Sequence, residues 1–238
     1  MELRVYRDAE ELAREAAQLF RERLRARPDL AMAVPAGRTP RRMYALMREL
    51  QEISPVDFSL MRVFSVDELC PPAPPAGYFW RQVRSEFLEW AGVAPAHCHP
   101  FGVDAPDLDL MCAEYEDTIG KRGGLDLIML GLGPNAHIAS NEPGSPFDSP
   151  TRPVRLLPET VQYILTDEVI QGAVGHMAVT LGMATIGAAR EVVVLVSGAA
   201  KQEPLRKVLE GPISPEVPAT MLRRHACCTI LADRAAAP

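Results

Sequence analysis

The chain has 238 residues, 47% hydrophobic and 24% charged, a balance that allows one globular domain spanning residues 1–238 to bury a sizeable core. Its formal net charge is -6, with Lys and Arg dispersed among Asp and Glu, so no basic stripe marks a nucleic-acid surface. An anionic small molecule stays compatible with that charge, because a few donors converging in one cleft outweigh the sign of the whole molecule.

Met1 to Tyr6 contains no apolar signal core, and no apolar run is long enough to span a bilayer, which predicts a cytoplasmic protein with no membrane partner. Asp8 followed by Glu11 reads as a capping box, and Leu12, Ala16, Phe20 and Leu24 repeat at helical spacing behind it until Pro28. Leu30 to Val34 has strand length. The segment Pro35-Ala36-Gly37-Arg38-Thr39-Pro40 breaks it, with Thr39 in an N-cap position, before Met43, Leu46 and Leu50 resume helical periodicity. Met61 to Val66 predicts a second strand ending at Asp67-Glu68. After the Pro-rich stretch Pro71 to Pro75, a helix is expected over Tyr78 to Trp90. Another helix is expected from Leu108 to about Lys121, and a strand from Leu125 to Leu130 running into Gly131-Leu132-Gly133. The β-branched run Glu191 to Val196 breaks at Gly198 and passes into a helix carrying Lys201, and Cys228 to Leu231 suits a last strand.

Strands alternating with helices predict an α/β fold: a doubly wound, largely parallel sheet with helices on both faces, where ligands bind beyond the carboxyl ends of the strands. The five cysteines form no regular framework, so free thiols are expected. His97-Cys98-His99 lacks the distant partners of a tetrahedral centre, and neither a metal nor an organic cofactor is expected.

Four strand ends each deliver polar groups, and the fold rule brings those ends to one edge of the sheet. At the first, Gly37 permits a close backbone turn, and the helix start with Arg38 and Thr39 suits a phosphate; a plain capped helix is the alternative reading. At the second, Asp67 and Glu68 supply carboxylates. One of them held near a sugar C2 could carry its proton to C1, and a solvated loop is the alternative. At the third, His137 stands among Asn135, Asn141 and Glu142, a set suited to proton transfer at a sugar ring oxygen. At the fourth, Lys201 could place a point charge on phosphate, or be an ordinary exposed lysine.

These segments resemble the glucosamine-6-phosphate deaminase family, which shares its fold with 6-phosphogluconolactonases, over nearly the whole chain. Val34 to Pro40 is similar to the family's first phosphate loop, Val66-Asp67-Glu68 to its acidic strand end, and Gly131 to Pro143 to its catalytic loop. Asn141-Glu142-Pro143 favours the deaminase branch, since lactonases typically carry a Leu-Phe-Pro-like sequence there. Gly211-Pro212-Ile213 and Val217 to Leu222 are similar to the deaminase C-terminal region. The resemblance implies conversion of glucosamine 6-phosphate to fructose 6-phosphate and ammonia without a cofactor. It makes Asp67 the enolising base, His137 the ring-opening group held by Glu142 and Asn135, and Gly37, Thr39 and Lys201 the phosphate seat. Lactone hydrolysis and a non-catalytic sugar-phosphate sensor are the competing readings, and a monomer or small homo-oligomer is expected. The chain departs from the pattern at Asn135, where many members carry Asp, at Ala136, where Gly is usual, and at Arg38, where a small residue is usual. Val161 to Thr166 also lacks the arginine expected to bind phosphate, for which Arg38 could compensate. A Cβ at 136 would be strained wherever the turn requires positive φ.

Overall fold

A computed structural model describes residues 1–71, 77–167, 170 and 174–238. In chain order the elements are β1 (Glu2–Tyr6), α1 (Ala9–Ala26), β2 (Ala31–Val34), α2 (Arg38–Ile53), β3 (Arg62–Ser65), β4 (Asp67–Leu69), α3 (Phe79–Val83), α4 (Glu89–Ala91) and β5 (Cys98–His99). They continue with α5 (Leu108–Lys121), β6 (Leu127–Gly131), β7 (Arg152–Arg155), α6 (Pro158–Leu165), β8 (Met177–Thr180), α7 (Met183–Ala188), β9 (Glu191–Val196), α8 (Gln202–Glu210) and β10 (Cys228–Asp233). Seven strands in the order β1-β10-β9-β6-β2-β3-β5 make one sheet in which every pairing is parallel. A second sheet, β4-β8-β7, is antiparallel.

The sheet is apolar on both faces because successive side chains point to opposite sides and both sides are covered. In β2, Ala31 and Ala33 enter one core while Met32 and Val34 enter the other; β6 divides Ile128 and Leu130 from Leu127 and Met129 in the same way. Helices α5, α7 and α8 supply the first core, and α1, α2 and the α3–α4 segment the second. The second is centred on rings: Tyr44 stacks on Phe87 with centroids 5.2 Å apart, and Phe20 meets Phe87 edge-on at 5.4 Å. At the start of α1 the Asp8 carboxylate accepts the Glu11 N–H at 2.9 Å. The Glu11 carboxylate accepts from Arg7 N–H at 2.6 Å, so the box closes one residue before the cap.

Several expectations are corrected. The residue capping α2 is Gly37, with φ 100°, not Thr39, which falls inside the first turn and makes no capping bond. Asp67 and Glu68, expected as the end of the strand before them, instead open a separate strand, β4, where they pair with Thr180 and Val179 of β8 in the second sheet, which also sets aside the solvated-loop alternative. The helix expected over Tyr78 to Trp90 is α3 and α4 joined by a π-helical turn at Arg84–Leu88, and the Trp90 indole donates to Glu86 O at 2.7 Å. Positions 72–75 of the Pro-rich stretch lie outside the described residues. Strands β1, β5, β7 and β8 and helices α6 and α7 have no counterpart in the periodicity reading. Among the described residues no helix is long and apolar enough to cross a membrane, and no cluster of three metal-ligating side chains forms.

Topology positions the site. The chain steps from β2 through β3 to β5 on one side and then places β6 on the other side of β2, so a crevice opens at the carboxyl ends of β2 and β6. The four strand ends singled out in the sequence belong to β9, β6, β2 and β3, which are consecutive neighbours in the sheet.

Candidate active site

At this edge lies a cavity of about 170 Å³ whose wall includes Gly37, Arg38, Thr39, Asp67, His137 and Lys201. The sequence therefore brings together a carboxylate, an imidazole, an ammonium and a helix N-terminus from positions up to 164 residues apart, from 37 to 201.

At the helix-start corner, Gly37 turns the chain out of β2 with a φ that side-chain-bearing residues rarely adopt. Its own N–H is donated to Gln82 Oε1 at 3.0 Å, and its carbonyl accepts from Gln82 Nε2 at 3.0 Å. Gly37 thus shapes the loop instead of donating to a ligand. Among the described residues no acceptor reaches the N–H of Arg38 or Thr39, and Pro40 has none to offer, so these two amides are the unfilled donors at the start of a 16-residue helix. Opposite them, the Lys201 ammonium stands 4.5 Å from the centroid of the Tyr163 ring, at the point where the 3₁₀ turn Ala199–Lys201 enters α8. The Arg38 guanidinium lies over the same ring at 5.3 Å, donates to Thr166 Oγ1, and has Nε 3.8 Å from Asp167 Oδ2. Arg38 therefore brings a guanidinium against the 161–166 segment, which has no arginine of its own. Arg41 reaches Asp167 as well, with Nη2 3.2 Å from Oδ1.

Asp67 marks the acidic corner. Its carboxylate lines the cavity and its Oδ2 accepts a 2.7 Å bond from the Ser140 hydroxyl. Burial pushes its carboxyl up to about 6, with a small contribution from Glu68, while the Ser140 bond and His137 act in the opposite direction. Glu68 is a different case. Only 1% exposed, it accepts the backbone N–H groups of Leu69, Tyr78, Phe79 and Trp80 at 2.8–3.1 Å, and it forms no part of the cavity wall. Burial pushes its carboxyl upward and those four bonds oppose the shift. Of the two carboxylates Asp67 faces the cleft, and Glu68, a substrate-binding candidate in the sequence, does not: its side chain turns back to hold the start of α3.

The imidazole corner follows β6. His137 packs on Gly133, where an added Cβ would sit 2.3–2.4 Å from the ring. Its Nδ1 is 2.7 Å from Asn135 Oδ1 and 3.6 Å from Glu142 Oε2, and Asn135 Nδ2 donates to Glu142 Oε2 at 2.9 Å. With the amide oriented this way, Nδ1 carries a proton and Nε2 is left as the basic nitrogen of the neutral ring. Burial opposes ionisation of Glu142, but the nearby His137 ring and the Asn135 bond outweigh it and hold the carboxyl down at about 2. Asn135 and Glu142 stand behind the ring and do not line the cavity. Ala136 has φ 64°, so the strain expected of a Cβ here is present, at about 1–2 kcal/mol, against about 0.8 kcal/mol from burying its methyl group.

Sequence reasoning gave no role to Ser140, Gln82, Tyr163 or Asp167. Ser140 sits inside the segment already singled out, and its significance depends on the β4–β8 pairing that brings Asp67 beside it. Tyr163 and Asp167 belong to or follow α6, a helix the periodicity did not reveal.

Residues 7–231 match the family described as glucosamine-6-phosphate isomerases/6-phosphogluconolactonase. The chain is 32% identical to glucosamine-6-phosphate deaminase 2 of Bacillus subtilis, across 100% of this chain and 96% of that protein. It is 34% identical to the glucosamine-6-phosphate deaminase of Halothermothrix orenii, across 95% of each. Among solved structures, a monomeric glucosamine-6-phosphate deaminase superposes with a TM-score of 0.93 at 30% identity, covering 99% of this chain and 98% of that one. The 6-phosphogluconolactonase of Trypanosoma brucei shares the fold, with a TM-score of 0.76 at 22% identity over 99% and 97% of the two chains. The chain belongs to the glucosamine-6-phosphate isomerase/6-phosphogluconolactonase family.

Proposed function

We propose that this protein is a glucosamine-6-phosphate deaminase, converting glucosamine 6-phosphate and water to fructose 6-phosphate and ammonia. The observation that carries the reading is the convergence of Asp67, His137, Lys201 and the start of α2 on one cavity. Arg38 and Thr39 N–H groups, with the Lys201 and Arg38 side chains, seat the phosphate: two unfilled amides at a helix N-terminus and two cations suit a dianion. His137, presenting a basic Nε2, moves the proton that opens the pyranose ring, with Asn135 and Glu142 fixing the imidazole. Asp67 takes the C2 proton of the open aldose and returns it to C1, which turns the C2 amine into a ketimine. Water adds at C2 and ammonia leaves, so the products balance without redox chemistry. A carboxyl titrating at about 6 is a competent base near neutrality and a competent acid once protonated, the pair of duties a C2-to-C1 transfer demands.

Several features support the deaminase branch over the lactonase branch: the Asn141-Glu142-Pro143 triplet, deaminase relatives at 32–34% identity, and a deaminase neighbour at TM-score 0.93. Similarity to a monomeric enzyme over 99% of this chain supports a monomer, and a phosphorylated sugar implies a cytoplasmic setting in amino-sugar breakdown. A coupled assay of ammonia release tests the reading. Purified protein should release ammonia from glucosamine 6-phosphate, and release at least a hundredfold less from unphosphorylated glucosamine. Hydrolysis of 6-phosphogluconolactone above the spontaneous rate without ammonia release would favour a lactonase. Thermal stabilisation by sugar phosphates with no turnover would favour a sensor.

A further inference from the structure

The Ser140–Asp67 hydrogen bond is built in from several directions. Ser140 follows Ala139, a non-glycine residue held at φ 51°, in a tight turn closed by Asn141 N–H donating to Ile138 O at 3.0 Å. Asn141 is wholly buried and pins that turn. Its amide nitrogen donates to Ile138 O at 3.2 Å and to Leu181 O at 2.8 Å, and its oxygen accepts from Arg152 at 3.0 Å. The Ser140 N–H donates to Thr180 Oγ1 at 3.0 Å, and Thr180 is the residue that pairs with Asp67 across β4 and β8. Ser140 is 4% exposed, and its hydroxyl donates to Asp67 Oδ2 at 2.7 Å. Among the described residues no hydrogen bond reaches Oδ1.

We propose that Ser140 is a positioning residue for proton transfer: its hydroxyl occupies Oδ2 of Asp67 and aims the unfilled Oδ1 at the substrate carbon. The inference rests on Asp67 acting as the C2 base, as above. A carboxylate on one rotatable bond samples many orientations, and a donor fixed by a strained, pinned turn selects one of them before substrate arrives. The same bond favours the ionised form. Around the Asp67 carboxyl stand Glu68 on the same strand, which disfavours its charge, and His137 from the β6 loop, which favours it. Lys201, Arg38 and Asp167 share the cavity. Loss of the hydroxyl leaves burial and Glu68 less opposed, so the carboxyl must titrate at higher pH.

The test compares wild-type protein with Ser140→Ala and Ser140→Thr, the latter keeping a hydroxyl. Two readouts are taken: the pH profile of kcat and kcat/KM for ammonia release, and a ¹³C NMR titration of the Asp67 carboxyl without substrate. Ser140→Ala should lower kcat about tenfold or more with KM within about threefold. It should also move the acid limb and the carboxyl titration upward by roughly half to one pH unit, as expected for losing one hydrogen bond to a charged group, and Ser140→Thr should return both toward wild type. An active wild type whose limb and titration are unmoved in Ser140→Ala, or a Ser140→Ala variant that changes only KM, overturns the role of Ser140. A wild type that releases no ammonia overturns the deaminase reading instead, a failure the substrate-free titration keeps distinct.

Discussion

A glycine without special backbone geometry governs the imidazole. Gly133 is not at positive φ, so an alanine there would suffer no backbone strain, yet its Cβ would fall 2.3 Å from His137 Cε1 and 2.4 Å from Nδ1. The backbone of Gly133 is fixed by its bond from N–H to His137 O at 2.9 Å, so the ring is the part that moves. Gly133→Ala should swing the imidazole off Asn135 and lower kcat about a hundredfold, since displacements of an ångström carry that penalty. The fold should survive with a modest change in melting temperature. Steady-state kinetics and a thermal melt check both halves, and kcat within threefold of wild type would refute the placement of the ring. At this scale the sequence announced residue types but not their contacts. His137, Glu142 and Asn135 sit within eight positions on one loop, where local spacing suffices, and they meet as expected. Ser140 has its partner 73 positions away and Arg38 lies 128 from Thr166, distances across which only tertiary structure assigns partners.

Among the elements, α3 depends on a single carboxylate for its start. Four N–H groups converge on Glu68, and Gly77 passes so close that a Cβ would lie 2.3 Å from Oε2, at a φ of 73° that disfavours side chains anyway. Gly77→Ala carries both penalties, strain and a displaced buried acceptor, and should destabilise the protein by about 2–3 kcal/mol. For a chain of this size that corresponds to roughly 4–12 °C in melting temperature. Calorimetry decides it: a loss below 1 kcal/mol would mean that Glu68 is not the anchor of α3. The reason Glu68 was legible only as a cleft candidate is that a strand-end acidic residue looks the same from sequence whether it points outward or folds back onto the next helix. The central parallel strands β2, β3, β6, β9 and β10 were legible because both faces are buried and the apolar runs are continuous, whereas the edge strands β1, largely exposed, and β5, two residues long, were not. The antiparallel β7–β8 pair and α6 were not: β7 places only Pro153 and Val154 between two arginines and is partly exposed, and β8 starts with an exposed Met177, so neither shows a long apolar run.

For the molecule as a whole, the site is a place where stability is given up. Asp67 titrates at about 6 in the folded protein against 3.8 for an ordinary carboxyl, mainly because burial disfavours its charge. Between those two values the folded state keeps a proton that the unfolded chain has released, so stability falls as pH rises through that window and the whole penalty is present above about pH 6. Converted directly, two pH units correspond to about 3 kcal/mol. The carboxylate reaches cleft water, which screens part of this, and about 1–2 kcal/mol is the expected share. Asp67→Asn keeps an acceptor for Ser140 and removes the charge, so at pH 7.5 it should raise the melting temperature by roughly 2–8 °C while abolishing ammonia release. Near pH 4 the wild-type carboxyl is already protonated in the folded state, and the two proteins should melt within about 1 °C of each other relative to that gap. A gap between variant and wild type that is the same at both pH values, or a variant less stable than wild type at pH 7.5, would show that the Asp67 charge is well solvated and that burial does not set its basicity.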